Sequence, residues 1–276
     1  MKNVLRTLIY DGQVSLTIAD TTEIVREGMR CHHLTENSAI ILGKAISAMS
    51  FMSACLKEAT GEISLSIKSE EGEIAVSGNR QLFMRGFIEN TALLANEKEY
   101  FGDNSSLTII RDDGYNRPFV GACAVPENAD VDGAFEEYFR ISEQLPTRIY
   151  TVVKMNGTEC IFAGVIALQP LPFAEEEVLN KVAKLSLERL LNAVKSEGIT
   201  ACAEKNFGQD KTVWEERSAK YKCNCSRRYL TRVLVSLGEE QMRKIIQEDG
   251  AVRVHCHYCN TDYEFTDEDA DLLFKA

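Results

Sequence analysis

Cys223-Asn224-Cys225 and, after 30 intervening residues, Cys256-His257-Tyr258-Cys259 place four thiols in two close pairs near the end of a 276-residue chain. That is the spacing of a tetrahedral metal site, because thiolates bind Zn²⁺ tightly and four protein sulfurs leave no open position for water or substrate. The expected cofactor is one structural zinc ion per reduced chain, with Cys223, Cys225, Cys256 and Cys259 as its ligands. Core cysteines that merely neighbour one another are the plainer alternative, but two tight pairs in one short segment are hard to obtain from packing alone. His255 and His257 flank Cys256. On a strand both point away from the face that Cys256 occupies, so exchange with a histidine ligand is not expected. The other five cysteines, Cys31, Cys55, Cys123, Cys160 and Cys202, stand singly in apolar or helical contexts and are expected to be buried and inert. Cys31-His32-His33 could pair a thiol with an imidazole, but adjacent residues rarely face one another.

Composition narrows the classes. With 45% hydrophobic and 26% charged residues the chain can bury a core. Its opening, MKNVLRTLIYDGQVSL, has no uninterrupted apolar run and no small-residue cleavage site, so no signal peptide is expected and the cytosol is the expected compartment. There disulfides are not the default, and nine cysteines cannot all be paired, so clustered thiols read as metal ligands or redox groups. A net charge of −11 lowers the expectation of a nucleic-acid partner, although Arg227, Arg228 and Arg232 could form a local basic patch. Residues 39–56 are apolar over about the minimum spanning length, yet Lys44 and interspersed serines favour a helix buried against a sheet, and no membrane partner is expected. The chain contains no Gly-x-Gly-x-x-Gly, Walker-type loop or His-Glu-x-x-His, so neither ATP use nor an enzymatic activity is expected.

The elements that must position the thiols read as an α+β fold. A hairpin around Asp11-Gly12, a short helix capped by Thr21 or Thr22, and a longer helix from about Glu36 to Ala59 open the chain. Strands follow in runs through EISLSIKS, EIAVSG, QLFMRGFIEN, SLTIIRDD and RPFVGACAV, then a helix in DGAFEEYFRISEQL, then two more strands ending near Pro170. Beyond Pro172 the period turns helical, with Val178, Val182, Leu185, Leu187, Leu190, Leu191 and Val194 on one stripe that stops at Gly198. From Leu171 to Lys222, 18 of 52 residues are charged, with signs balanced. Such a connector can fold on a neighbour and is poorly equipped to stay folded alone. The second cysteine pair reads as a hairpin knuckle at His257-Tyr258; the first opens a helix in SRRYLTRVLVSL.

This order of segments, with MRGFIEN at 84–90, YFRISEQLPTRI at 138–149, AGVIALQPLP at 163–172, CNC and CHYC, resembles the redox-regulated heat-shock protein 33 chaperone family over nearly the whole chain. Val165 departs from the pattern, which leads one to expect a second glycine there. The resemblance implies an N-terminal α+β domain for substrate binding and dimerisation (1–173), a metastable helical linker (174–222) and a C-terminal zinc-binding redox switch (223–276). It further implies an ATP-independent holdase for unfolding clients, inactive when reduced and zinc-bound. On oxidation the family pairs neighbours, here Cys223 with Cys225 and Cys256 with Cys259, releases zinc and forms a homodimer. The physics is compatible: the 54 residues from Cys223 onward make a marginal core, whereas metal binding supplies on the order of 10 kcal/mol to small zinc modules. Two rivals share the motif. One is a zinc-ribbon nucleic-acid-binding protein. The other is a thiol-disulfide oxidoreductase using Cys256 and Cys259, though that motif normally sits at a helix N-terminus.

Overall fold

Asp11-Gly12 does join two strands, β1 (Val4–Ile9) and β2 (Val14–Asp20), with Tyr10, Asp11 and Gly12 at φ 53°, 54° and 81° as a tight reversal demands. The chain continues through α1 (Thr22–His32), α2 (Glu36–Ala54), β3 (Glu62–Ser69), β4 (Gly72–Asn79), β5 (Phe83–Ile88), α3 (Glu97–Phe101), β6 (Ser106–Asp112), β7 (Phe119–Ala124), α4 (Val131–Tyr138), β8 (Arg148–Asn156) and β9 (Glu159–Pro170). Then come α5 (Glu176–Lys184), α6 (Leu187–Glu197), α7 (Ile199–Phe207), β10 (Val213–Arg217) and β11 (Lys220–Tyr221). This computed structural model describes residues 2–92, 95–208 and 213–274. The chain divides into two compact units, Met1–Lys222 and Cys223–Ala276.

Two mixed layers build the first unit. A five-stranded sheet has the order β10-β1-β2-β9-β8, and a six-stranded sheet the order β11-β5-β4-β3-β6-β7. Between them lies α2, whose Ile41, Leu42, Met49 and Met52 share one core with Val165 and Ala167 of the first sheet and Leu65 and Val76 of the second. A helix sandwiched in this way must be apolar all round, which explains the run at 39–56. No helix among the described residues is long and apolar enough to cross a membrane. Two serines of α2 return their hydroxyls to carbonyls one turn back, Ser47 to Gly43 (2.8 Å) and Ser50 to Ser47 (2.7 Å). Close approach is set by small residues: a Cβ on Gly78 would stand 2.1 Å from Ser53 Oγ and 3.0 Å from Met49 Cγ.

Several local expectations are corrected. Neither threonine caps α1 by its side chain: Thr21 Oγ1 bonds Ser47 Oγ inside the core (2.6 Å), and Asp20 Oδ1 accepts the Thr22 N–H instead (3.0 Å). α2 stops at Ala54, five residues early, because the chain must reverse through a turn closed by Gly61 N–H on the Glu58 carbonyl (2.9 Å) before β3. The apolar stripe after Pro172 is two helices, broken where Leu185 is extended and the Ser186 hydroxyl accepts the Arg189 N–H (3.3 Å) to start α6. Arg148 closes the freed end of α5, donating to the carbonyls of Val182, Ala183 and Leu185. The stripe itself packs as expected, with Val178, Val182, Leu190, Leu191 and Val194 against Leu16, Ile18, Phe162 and Ile166 on the outer face of the five-stranded sheet. The end of the connector is extended, since β10 pairs with β1 and β11 with β5. Val165 lies mid-strand and fully buried, so no turn depends on it; the close approach belongs to Gly164, where a Cβ would meet the Ala19 carbonyl at 2.7 Å.

One charge cluster is enclosed by this packing. Lys44 Nζ bonds Glu97 Oε2 (2.8 Å) and Asp130 Oδ2 (3.3 Å), while Asp132 accepts from Thr151 N (2.9 and 3.1 Å) and Thr151 Oγ1 (2.5 Å). Burial pushes the Asp132 carboxyl up to about 7, against the partial offset of Lys44. A carboxyl whose folded value is raised binds its proton more tightly folded than unfolded, so its contribution to stability is present in acid and is lost as pH climbs from about 4 to about 7. Thermal melts of wild type and Asp132→Asn across pH 5–8 should therefore converge in acid, with the variant gaining several degrees on wild type toward pH 8. A constant difference would contradict this.

Candidate metal centre

The second unit runs α8 (Arg227–Leu237), α9 (Glu239–Asp249), β12 (Val252–Cys256), β13 (Thr261–Phe265) and α10 (Asp267–Phe274) around a small core of Leu234, Met242, Ile246, Val252, Phe265 and Ala270. Cys223 and Cys225 precede α8, which begins where Ser226 Oγ accepts the Tyr229 N–H (3.1 Å). Cys256 ends β12, and its carbonyl accepts from Cys259 N (3.3 Å) and Asn260 N (2.8 Å). Asn260 takes φ 53°, which asparagine tolerates, and the reversal leaves Cys256 and Cys259 on one knuckle.

The four sulfurs lie within 4.8 Å of one another, and they are the one group of three or more metal-ligating side chains among the described residues. Cys223 Sγ is 3.6 Å from Cys256 Sγ, and Cys225 Sγ is 3.2 Å from Cys259 Sγ. A regular tetrahedron with metal–sulfur bonds of about 2.3 Å has edges of about 3.8 Å, so the sulfur set fits a four-coordinate ion of zinc's size. Cys225 N–H donates to Cys223 Sγ (3.5 Å), and Tyr263 Oη sits 3.3 Å from Cys225 Sγ. That contact, ahead of burial, lifts the Tyr263 phenol to about 12. The Cys256 and Cys259 thiols are both pushed up, by burial first and by neighbouring sulfurs as well. Four thiolates this close would repel one another unless a cation offsets their charge.

Neither flanking histidine belongs to the cluster. His255 Nδ1 bonds Asp262 Oδ1 (2.7 Å), and its ring meets that of His257 edge-on at 4.9 Å, both exposed. Cys123, Cys160 and Cys202 are buried, with thiols raised by burial, Cys123 to about 11; Cys31 and Cys55 are only half-buried, less than expected. His32 gives its Nε2 to the Gly86 carbonyl (2.9 Å). In the basic patch, Arg227 is engaged by Asp269 (2.6 Å), the Glu264 carbonyl (2.8 Å) and the Phe265 ring (4.4 Å). Sequence reasoning missed Tyr263 and Thr261. The strand period of two was the available signal, since it puts both on one face of β13, with Thr261 paired to Cys256.

The family model for the Hsp33 protein matches residues 2–266. The chain belongs to the Hsp33 family. It is similar to the 33 kDa chaperonin of Bacillus cereus (strain AH187), 30% identical with 100% of this chain and 99% of that one covered. The 33 kDa chaperonin of Bacillus pumilus is 28% identical over 99% of this chain and 98% of its own. The crystal structure of the 33 kDa chaperonin (heat shock protein 33 homolog) of Thermotoga maritima superposes with a TM-score of 0.82 at 24% identity, covering 99% of this chain and 98% of that one, and so shares the fold. As an Hsp33 family member the chain is a chaperone, with a mixed α/β body and a four-cysteine cluster able to hold a metal ion.

If these sulfurs form one site, Cys256→Ser should strip most of the bound metal from the reduced chain while Cys123→Ser keeps it. Elemental analysis decides, and full retention in Cys256→Ser would sink the ligand assignment.

Proposed function

We propose that this Hsp33 family chain is an ATP-independent holdase whose last 54 residues are a zinc-dependent redox switch. The observation that carries the reading is the convergence of Cys223, Cys225, Cys256 and Cys259 in a unit with a small core. Zn²⁺, when bound, would supply the positive charge that keeps four sulfurs ionised and ties the segment before α8 to the β12–β13 hairpin. The chain's own part is chemical. A peroxide takes two electrons from a thiol pair: one thiolate becomes a sulfenic acid as the O–O bond breaks, and its partner displaces that hydroxyl as water while the S–S bond forms. We assign the pairs Cys223 with Cys225 and Cys256 with Cys259, as the family resemblance implies. The closest sulfurs of the folded unit run between the motifs, so pairing within each motif is favoured by the short chain between partners once the fold loosens.

The consequence travels along the backbone. Cys223 follows Lys222 directly, so loss of the second unit's fold frees the C-terminal end of β11 and of the connector behind it. Residues 1–173 then act as the body that binds clients and dimerises, 174–222 as the metastable linker and 223–276 as the switch. The partners are unfolding proteins and a second copy of the chain.

Light scattering of a thermally unfolding client tests this without ATP. Peroxide-treated protein should suppress aggregation and reduced, zinc-loaded protein should not; equal suppression by both would count decisively against the switch. Limited trypsin digestion tests the coupling. Oxidation should open new cleavage at Arg189, Lys195, Lys205 and Arg217 while the body before Pro170 stays resistant; Lys211, a further reporter, lies outside the described residues. A connector that remains as protected as in the reduced form would break the link between metal release and client binding.

A further inference from the structure

The last ten residues of the first unit form a strap across both sheets. β10 lies along β1 in antiparallel register from Val4↔Arg217 to Leu8↔Val213. β11 lies parallel to β5, with Lys220 N–H donating to the Leu82 carbonyl (2.9 Å) and Lys222 N–H to the Met84 carbonyl (2.8 Å). Between them Asn3 grips Ala219 as a strand would: its Nδ2 donates to the Ala219 carbonyl (3.3 Å), and its Oδ1 accepts the Ala219 N–H (2.7 Å). The Tyr221 hydroxyl donates to the Gly86 carbonyl (3.0 Å). Nearly all of this is main-chain pairing, which reads an extended backbone and not a sequence. Without the strap, β1 and β5 would each present a row of unsatisfied N–H and C=O groups.

The strap is also held at a cost. Arg217 Nε and Arg80 Nη2 each reach Glu215 at 3.6 Å, so two guanidinium groups share one carboxylate, while Arg6 is the register partner of Glu215 across the β1–β10 ladder. Arg6 Nε and Arg217 Nη1 are buried without a hydrogen-bond partner. Burial, then Arg80, with Arg6 adding, holds the Arg217 guanidinium below its usual range. A buried donor left unpaired weakens the element that carries it, and within the strap that donor is Arg217 Nη1, whose Nη2 still bonds the Arg80 carbonyl.

We propose that residues 213–222 are an internal substitute for client, and that extended segments of unfolding proteins pair with the same β1 and β5 edges once the strap has left. The proposal rests on the holdase reading above and names where on the body clients bind. The partner it fits is an extended polypeptide with free backbone N–H groups, largely regardless of side chains; proline-rich segments are excluded because they lack the donors. Such pairing suits a chaperone that meets unrelated clients.

The test uses the full chain, reduced or peroxide-oxidised, and a fluorescein-labelled peptide of residues 213–222, VWEERSAKYK. A second peptide carries methyl groups on the backbone nitrogens of Lys220 and Lys222, which removes the two β11 donors and leaves every side chain in place. Anisotropy should show the parent peptide binding oxidised chain and not reduced chain, with the methylated peptide at least about tenfold weaker, as two lost hydrogen bonds predict. In the light-scattering assay the parent peptide should also displace client. Equal binding of both peptides, no binding to oxidised chain, or binding that leaves client protection untouched would each overturn the proposal while the holdase reading stands. Absence of client protection in the peptide-free arm would remove that reading, and this proposal with it.

Discussion

Four sulfurs packed within 4.8 Å of one another cannot all carry charge unless a cation sits among them, and the small unit that contains them depends on this constraint. Its apolar core draws on a handful of side chains from α8, α9, the hairpin and α10, too little surface to hold 54 residues firmly. The thiol cluster joins the segment before α8 to the hairpin at short range. On the proposed reading, a change in the charge or oxidation state of the sulfurs acts on the fold of the whole unit.

The first unit is built differently. Its stability lies in α2, enclosed by two sheets, and in α5 to α7 laid over the outer face of one of them. Its last segment pairs first with one sheet and then with the other, and it ends at the residue preceding Cys223. Core and strap thus occupy one continuous chain, with the strap at the end nearest the thiols in sequence. A perturbation arriving there first meets the backbone pairing of β10 and β11 and the ion pairs of Arg80 and Arg217 with Glu215.

Much of this was legible in the residue order. The hairpin at Asp11-Gly12, the strands β3 to β9 and the apolar stripe of α5 and α6 follow from period and turn chemistry, because each is decided by neighbours in sequence. The cysteine spacing likewise pointed to a single site of four sulfurs, since two tight pairs in one short segment are hard to obtain from packing alone. Misread features share one cause. Thr21 looks like a helix cap but spends its hydroxyl on Ser47, and Leu185 looks like the middle of a helix but lies at a break fixed by Ser186 and Arg148. In each, a partner distant in sequence outbid a local preference.

The sequence by itself determined which residues could ligate a metal, which helix had to be buried on all sides, and that the connector was amphipathic yet charge-rich. Tertiary structure decided that the end of this connector is a strand on two sheets, that Asn3 holds it at Ala219, and that Arg80 and Arg217 meet at Glu215. Those choices depend on backbone donors and acceptors brought together across more than 130 positions of chain, for example the Lys220 N–H with the Leu82 carbonyl. Backbone groups are the same at every residue, so no pattern of side chains records which edge a given segment will complete.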